Sequence, residues 1–208
     1  MTISLRRCMA ILSMTCLAFA GCEKLAYQQM NDPSRDAWQR PKEVVDKLGI
    51  TPGATVADIG AGGGYFTWYL AEAAGANGTV YAVDTDETGL DMIRTEMQAR
   101  NVRNVVPVRA EPMNPKLPGR VDLVFSCDTY HHMHDRIAYF RSLAGSLNAE
   151  GRIAILDYHP QGFFSGVLGH GTAAEDVRRE MEAAGYRRVA QFGLIDRQHF
   201  QIFSRSSP

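Results

Sequence analysis

The sequence predicts an α/β fold with a doubly wound, mostly parallel sheet. Short apolar segments alternate along the chain with segments whose apolar residues recur every three or four positions. Alternating strands and helices of this kind are typical of a parallel sheet that helices cover on both faces. The 208 residues, 45% of them hydrophobic and 22% charged, suffice for one domain with a sizeable core.

The first predicted elements surround a glycine-rich turn. Pro41 at a helix start and Gly49 as a stop predict a short leading helix. A buried strand is predicted at 55–59 and a second at 79–83, each followed by a helix. The apolar positions of these two helices are Phe66, Tyr69, Leu70, Ala73 and Ala74 in the first and Leu90, Ile93 and Met97 in the second.

The second half of the chain continues the alternation with one interruption. Prolines at 112, 115 and 118 predict that the third crossover helix is short or absent. The remaining predicted strands are Val105–Val108, Val121–Ser126, Arg152–Leu156, Arg187–Phe192 and His199–Phe203. One helix is predicted from Met133, Ile137, Phe140, Ala144 and Leu147, and a last one from Val177, Met181 and Ala184.

Residues 55–64 read Thr-Val-Ala-Asp-Ile-Gly-Ala-Gly-Gly-Gly and predict a ligand site at the end of the first strand. Gly60 and Gly62 allow a sharp turn and a close approach of the backbone to a ligand. The amides from Gly62 to Tyr65 open a helix, which makes a donor-rich site. Asp84 ends the next strand, where a carboxylate can accept hydrogen bonds from a ribose diol. The pattern therefore predicts a nucleoside-containing ligand.

Two classes of nucleoside cofactor compete for this site. The dinucleotide fingerprint requires a third small residue, which falls at Tyr65, or at Thr67 in the alternative register. Both are too large for close packing of helix on strand. Asp58 would also repel a pyrophosphate, whereas it suits a ligand whose nearby end is cationic. An NAD-dependent oxidoreductase is therefore disfavoured.

The run Val-Ala-Asp-Ile-Gly-Ala-Gly-Gly-Gly-Tyr-Phe-Thr resembles the first motif of class I S-adenosylmethionine (SAM) methyltransferases. The resemblance extends from about Arg35 to the C-terminus. It implies a Rossmann-like fold whose last strand is antiparallel and inserted between the fifth and sixth. It also implies SAM as the cofactor and a small-molecule acceptor, as in ubiquinone and menaquinone biosynthesis. The cofactor-binding residues that it implies are Asp58, Gly60, Gly62 and Tyr65 at the methionine end, Asp84 at the ribose, and Glu111 beside Ala110 near the adenine.

The segment Ser126–Asp135 reads Ser-Cys-Asp-Thr-Tyr-His-His-Met-His-Asp and follows the fourth strand. In the family that the chain resembles, this position contacts SAM and presents groups to the acceptor. Asp128 is predicted to hold the amino end of SAM or to take a substrate proton. His131 and His132 are predicted catalytic residues with Asp128, because a histidine of near-neutral pKa can act as a base. Tyr130 is expected to shape the acceptor pocket, and His134 and Asp135 to cap a helix or face solvent.

The sequence does not predict a metal site. Several histidines and aspartates are available, but no dedicated ligand spacing is present, and adjacent histidines rarely converge on one ion. An arsenite-type methyltransferase would need several thiolates, whereas the predicted domain contains one, Cys127. The glycine-rich segment Gln161–Gly171, flanked by His159 and His170, is predicted to be a mobile substrate loop.

The N-terminus has the layout of an export signal. Arg6 and Arg7 precede an uncharged apolar run from Cys8 to Ala20, which is too short to span a bilayer comfortably. Leu-Ala-Phe-Ala-Gly-Cys, ending at Cys22, resembles a bacterial lipoprotein signal, which implies a lipid anchor on that cysteine. The predicted organisation is a signal peptide at 1–21, a polar tether at 22–34 and the methyltransferase domain at 35–208.

These features lead to a predicted periplasmic or cell-envelope lipoprotein. If the signal is not used, or if translation starts at Met30, the protein is cytoplasmic. The net charge of −1 gives no electrostatic footprint for nucleic acid, and the sequence leaves the oligomeric state open. The alternative function is an exported nucleoside- or SAM-binding lipoprotein without transferase activity.

Overall fold

The computed structural model describes residues 25–160 and 170–206, which form a seven-stranded mixed sheet. The strands are β1 Thr55–Ile59, β2 Thr79–Asp84, β3 Val105–Arg109, β4 Val121–Cys127, β5 Leu147–Tyr158, β6 Tyr186–Ile195 and β7 Gln198–Arg205. Their order in the sheet is β3-β2-β1-β4-β5-β7-β6. The five strands from β3 to β5 are parallel, whereas β7 is antiparallel to both β5 and β6. The predicted fold class and the inserted antiparallel strand are confirmed.

Helices cover both faces of the sheet. They are α1 Arg35–Gln39, α2 Pro41–Leu48, α3 Tyr65–Ala74, α4 Glu87–Arg100, α5 Arg136–Ser142 and α6 Ala174–Ala183. One core layer packs α2, α3 and α4 against the sheet, and the other packs α5 and α6 against its opposite face. Successive side chains of a strand point to opposite faces, so Val56 of β1 lies in the first layer and Ala57 in the second.

The predicted leading helix and the predicted interruption are both confirmed. Pro41 is the first residue of α2, and Gly49 ends it in the left-handed conformation with φ of 58°. Residues 110–120 between β3 and β4 contain no helix, only an isolated bridge between Glu111 and Asn114. Prolines in this stretch cannot donate the backbone hydrogen bonds that a helix needs.

The helix predicted between the fourth and fifth strands was too long. Helix α5 begins at Arg136 and a 3₁₀ turn follows it at Leu143–Ser146. Met133 lies before the helix, and Leu147 is the first residue of β5. Apolar residues at helical spacing here belong to different elements, and Met133, Phe140 and Leu147 all contact the same core layer.

The chain before α1 lies against the domain where it is described. Residues 25–30 are helical. The Tyr27 hydroxyl donates to Asp86 at 2.7 Å, and the Asn31 amide donates to the carbonyl of Gly63 at 2.6 Å. Residues 25–34 of the predicted tether therefore contact the glycine turn and the loop after β2. The predicted signal peptide and Cys22 lie outside the described residues, as does most of the predicted substrate loop.

Across residues 25–160 and 170–206, no helix combines the length and the apolar character needed to cross a membrane.

Candidate cofactor and acceptor site

A cavity of about 740 Å³ lies at the carboxyl edge of the parallel strands. The glycine turn and the ends of β1, β2, β4 and β5 line it together with Ala26, Tyr27 and Gln29–Asn31. A larger cavity of about 1100 Å³ lies beside α3 and α4, and its lining includes none of the aspartates that end the strands. Ligands of doubly wound folds bind outside the carboxyl ends of strands, so the smaller cavity is the candidate site.

The glycine turn has the conformation that its sequence requires. Gly60, Gly62 and Gly64 have φ values of 78°, 54° and 94°, in the region that favours glycine. A Cβ atom on Gly60 would lie 2.0 Å from the hydroxyl oxygen of Thr129. The turn is therefore constrained both by its backbone angles and by the close approach of the loop after β4.

Asp84 holds this turn against the end of β2. Its Oδ2 atom accepts the amide of Gly62 at 2.7 Å, and its Oδ1 atom accepts the amide of Asp86 at 2.9 Å. Burial raises the pKa of Asp84, which these two hydrogen bonds partly offset. The carboxylate lines the cavity, so its remaining lone pairs are available to a ligand.

Asp58 is a buried acid beside the same turn. Its side chain is 2% exposed, and the Thr67 hydroxyl donates to Oδ2 at 2.6 Å. Burial raises the pKa of Asp58 to about 7, and the nearby Asp84 charge adds to the shift. A cationic group of a ligand placed next to such a buried carboxyl group would stabilise its charged form.

Tyr65 and Glu111 line the cavity but make protein contacts as well. The Tyr65 hydroxyl donates to Asp36 at 2.6 Å, and the Arg35 guanidinium lies 4.1 Å from the centre of its ring. The Glu111 side chain is 61% exposed and forms an ion pair with Lys116. The structure thus brings Asp58, Gly60, Gly62, Tyr65, Asp84 and Glu111 around one cavity, and their contacts with SAM stay predictions.

Asp128 is held by a polar network that the sequence reasoning missed. Its Oδ2 atom lies 3.3 Å from Arg35 and 3.2 Å from the amide of Gln39, and Gln198 donates to Oδ1. Burial raises the pKa of Asp128, and Arg35 opposes that shift. The backbone of this residue is strained, with φ of 54°. Because both oxygens are engaged, the geometry favours a fixed hydrogen-bond acceptor over a proton-accepting base.

His131 pairs with Asp157, which lies near the end of β5 and is not among the predicted site residues. Nδ1 of His131 lies 2.6 Å from Oδ1 of Asp157, and the two side chains are 7% and 0% exposed. The register of β4 on β5 pairs Cys127 with Leu156, which places the next residues of both strands at one edge. Parallel-strand register is the signal that could have identified Asp157 from the sequence.

Three histidines converge beside this pair. His131, His132 and His170 each offer a ring nitrogen, and these three atoms lie within 4.8 Å of one another. Burial and the two neighbouring imidazoles lower the pKa of His132. The 3₁₀ turn at Tyr130–His132 presents the rings of both adjacent histidines to the cavity, although their spacing is not a dedicated metal-binding one. That they bind no metal ion stays a prediction.

Tyr130 does not shape the acceptor pocket as predicted. It is fully buried, its ring stacks on Phe140, and its hydroxyl donates to Glu180 at 2.7 Å. The turn therefore directs Tyr130 into the core on the α5 and α6 side. Asp135 caps α5 as expected, since its side chain accepts the amide of Ala138.

The comparisons with known proteins agree with this fold. Residues 57–153 match the family model described as "Methyltransferase domain". A SAM-dependent methyltransferase from Aquifex aeolicus superposes with a TM-score of 0.77 at 23% identity, over 86% of this chain and 97% of that one. The CcbJ methyltransferase from Streptomyces caelestis superposes with a TM-score of 0.65 at 15% identity, over 80% and 89%.

Curated relatives match shorter segments. A phosphoethanolamine N-methyltransferase of Triticum aestivum is 32% identical over 120 residues, which are 56% of this chain and 23% of that protein. Methyltransferase GfsG of Streptomyces halstedii is 29% identical over 129 residues, 61% of this chain and 46% of that protein. The chain thus spans less than half the length of these curated relatives. The strand order and these superpositions show that the chain has the fold of class I methyltransferases, and residues 57–153 are similar to the methyltransferase domain family.

Proposed function

We propose that this protein transfers the methyl group of SAM to a small molecule. The observation that carries the proposal is one continuous cavity with two chemically different ends. Asp84 and the glycine turn line one part of it and suit a nucleoside, whereas His131, oriented by Asp157, lines it together with Trp38 and Tyr158. A methyl donor and an acceptor can therefore lie in contact within one cavity.

The acids of the cavity fit SAM. When bound, SAM supplies an activated methyl group on a positively charged sulfonium. Asp58, Asp84 and Asp128 all line the cavity, and Arg35 is already paired with Asp128. Carboxylates favour the sulfonium and ammonium groups of SAM, whereas they would repel a pyrophosphate. This donor set supports SAM over a dinucleotide.

On the acceptor side, His131 has the geometry of a proton acceptor. Asp157 occupies Nδ1 and thereby orients the ring and leaves Nε2 as the basic nitrogen. Trp38 and Tyr158 stack at a ring separation of 6.1 Å and add aromatic wall to the cavity. The protein would position the acceptor in line with the methyl group and remove its proton where the nucleophile is weak.

A small-molecule acceptor is favoured over nucleic acid. The curated relatives include a phosphoethanolamine and a tRNA (adenine(58)-N(1)) methyltransferase, so family likeness alone does not choose between them. The formal net charge of −1 and the additional cavity wall from Ala26, Tyr27 and Gln29–Asn31 favour a small acceptor. Nucleic-acid binding commonly uses a basic surface.

We also propose that the protein is an exported lipoprotein anchored through Cys22. The support is the sequence pattern of Arg6, Arg7, the apolar run at 8–20 and the small residues before the cysteine. A multiply acylated cysteine is a stable membrane anchor. Mass spectrometry of the native N-terminus tests this: a lipidated Cys22 supports it, and an unmodified chain starting at Met1 or Met30 contradicts it.

Two measurements test the enzymatic proposal. Titration calorimetry with SAM, S-adenosylhomocysteine and NAD should show binding of the first two and none of NAD. Incubation with methyl-labelled SAM and a metabolite extract should then label a small molecule. Binding of NAD in place of SAM would contradict the cofactor proposal. SAM binding without any transfer would favour the alternative of a SAM-binding lipoprotein.

A further inference from the structure

The three-histidine cluster has a feature that methyl transfer does not require. A single oriented imidazole is enough for a base, yet His132 and His170 bring two more ring nitrogens to within 4.8 Å of the first. The three residues come from two distant parts of the chain, the turn after β4 and the segment before α6. Their ring centres lie 4.0 to 6.2 Å apart, which is a compact group around one point.

The contact of His131 with Asp157 is the second observation. Oδ1 of Asp157 accepts a hydrogen bond from Nδ1 of His131, which leaves Nε2 as the atom of that ring that can bind a metal ion. Metal-bound histidines almost always donate their other ring N–H to a carboxylate or carbonyl, which fixes the ring and raises its basicity. The other oxygen of Asp157, Oδ2, is buried without a hydrogen-bond partner among the described residues. A buried carboxylate in this position is stabilised by positive charge beyond the imidazole.

We propose that His131, His132 and His170 bind a divalent transition-metal ion of the zinc type, with Asp157 as the carboxylate behind His131. Three neutral imidazoles with one open position form a donor set that zinc uses in catalytic sites. Imidazole ligands also suit cobalt, nickel and copper, whereas magnesium and calcium prefer oxygen ligands.

The geometry allows the site to close on an ion with small movements. Nitrogen ligands at about 2.0–2.1 Å from zinc in a tetrahedral arrangement lie roughly 3.3 Å apart. The three nitrogens already lie within 4.8 Å. His132 and His170 are exposed and can rotate inward, while the nearly buried His131 is held by Asp157. The fixed ligand and the two adjustable ones suit capture of an ion from solution.

All three rings line the cavity, so the open coordination position faces the acceptor end. An ion on Nε2 of His131 and a proton on the same atom exclude each other. In the metal-bound protein, the ion would stabilise an anionic oxygen of the acceptor in place of a proton-accepting histidine. This consequence rests on the proposed methyl transfer, whereas ion binding does not depend on it.

The test is a metal titration of the full chain without a polyhistidine tag and without SAM or acceptor. Calorimetry should show one Zn²⁺ per chain, and Co²⁺ should give the visible absorption of a four-coordinate site. H132A and H170A, which change exposed side chains, should each weaken binding by about 10-fold or more. D157N should weaken it by about 10- to 100-fold. H159A is the matched control, because His159 is exposed and outside the cluster.

Three results would overturn the site: no binding of Zn²⁺ or Co²⁺ at one equivalent, binding that persists in the H132A/H170A double variant, or an equal loss in H159A. Binding of SAM, measured separately on every variant, reports that the domain is folded. If the parent protein binds SAM and transfers methyl groups but binds neither Zn²⁺ nor Co²⁺, the metal site alone is rejected. If the parent binds the metal, with the expected losses in the variants, but transfers no methyl group, the proposed function is rejected and the metal site stands.

Discussion

The amide of Gly62 donates a 2.7 Å hydrogen bond to Oδ2 of Asp84, and this contact joins the two sequence motifs of the cofactor site. The glycine turn follows β1 and the carboxylate ends β2, so parallel pairing of the two strands brings them together. Asp84 fixes the turn through backbone amides, and in the proposed function its remaining lone pairs would accept hydrogen bonds from a ribose.

Replacement of Asp84 by alanine should weaken SAM binding by about 1.5–3 kcal/mol, the range for hydrogen bonds to a charged group. The loss has two sources, the ribose contacts and the support of the glycine turn. D122A is the matched control, because Asp122 also accepts a backbone amide, that of Thr55 at 2.8 Å, but lies outside the cavity lining. Calorimetry measures both variants, and equal SAM affinity in D84A and the parent would reject the ribose assignment.

Replacement of Gly60 by alanine should lower both thermal stability and SAM affinity. A side chain at positive φ costs about 1–2 kcal/mol, and here its Cβ would also meet Thr129 at 2.0 Å. G53A separates the two causes, because Gly53 has φ of 92° and no atom within 4 Å of its added Cβ. Thermal unfolding should show a smaller loss in G53A, and its SAM affinity should be unchanged. Equal effects of both variants would show that contact with the loop after β4 is unimportant.

Asp58 should make the ligand-free protein less stable as the pH rises. Its pKa is about 7 in the folded state, against an ordinary value of 3.8. Between these values the folded state binds more protons than the unfolded state, so the free energy of unfolding falls with rising pH and levels off above about 7. The full shift corresponds to at most about 4 kcal/mol.

Denaturant unfolding at pH 5 and pH 8 measures this effect. Between pH 5 and pH 8, the free energy of unfolding should decrease less in D58N than in the parent. Part of the fall should remain, because burial also raises the pKa of Asp84 and Asp128. An unchanged fall in D58N would mean that Asp58 is ionised in the folded protein throughout this range.

Replacement of His131 by alanine should lower turnover by about 100-fold or more while leaving SAM affinity near that of the parent. The measurement uses chelator-treated enzyme and the acceptor identified by methyl labelling. D157N should also lower turnover, because it removes the carboxylate that accepts the hydrogen bond from Nδ1 and orients the ring. H159A, outside the cavity lining, should have the parent turnover. If H131A turns over at the rate of the parent, another group accepts the proton. If H131A loses both turnover and SAM affinity, the substitution has disturbed the fold.

Local patterns predicted much of the fold. The alternation of strands and helices, the end of α2 at Gly49 and the absence of a helix at 110–120 depend on periodicity, glycine and proline, which act within a few residues. The helix before β5 was predicted too long, because apolar spacing alone does not distinguish one helix from successive elements that share a core. Met133 and Leu147 show this, since they pack in the same layer from outside α5.

By itself the sequence determined the sheet, the glycine turn and the carboxylate at the end of β2, because each depends on neighbouring residues and on the rule that parallel strands end at one edge. Only the tertiary structure decided which side chains meet at the acceptor end. The pairing of His131 with Asp157 and its approach to His170 join residues 26 and 39 positions apart. The 3₁₀ turn sends Tyr130 into the core and His131 to the cavity, although the two are adjacent. Such contacts depend on strand register and the direction of each side chain, which no local pattern specifies.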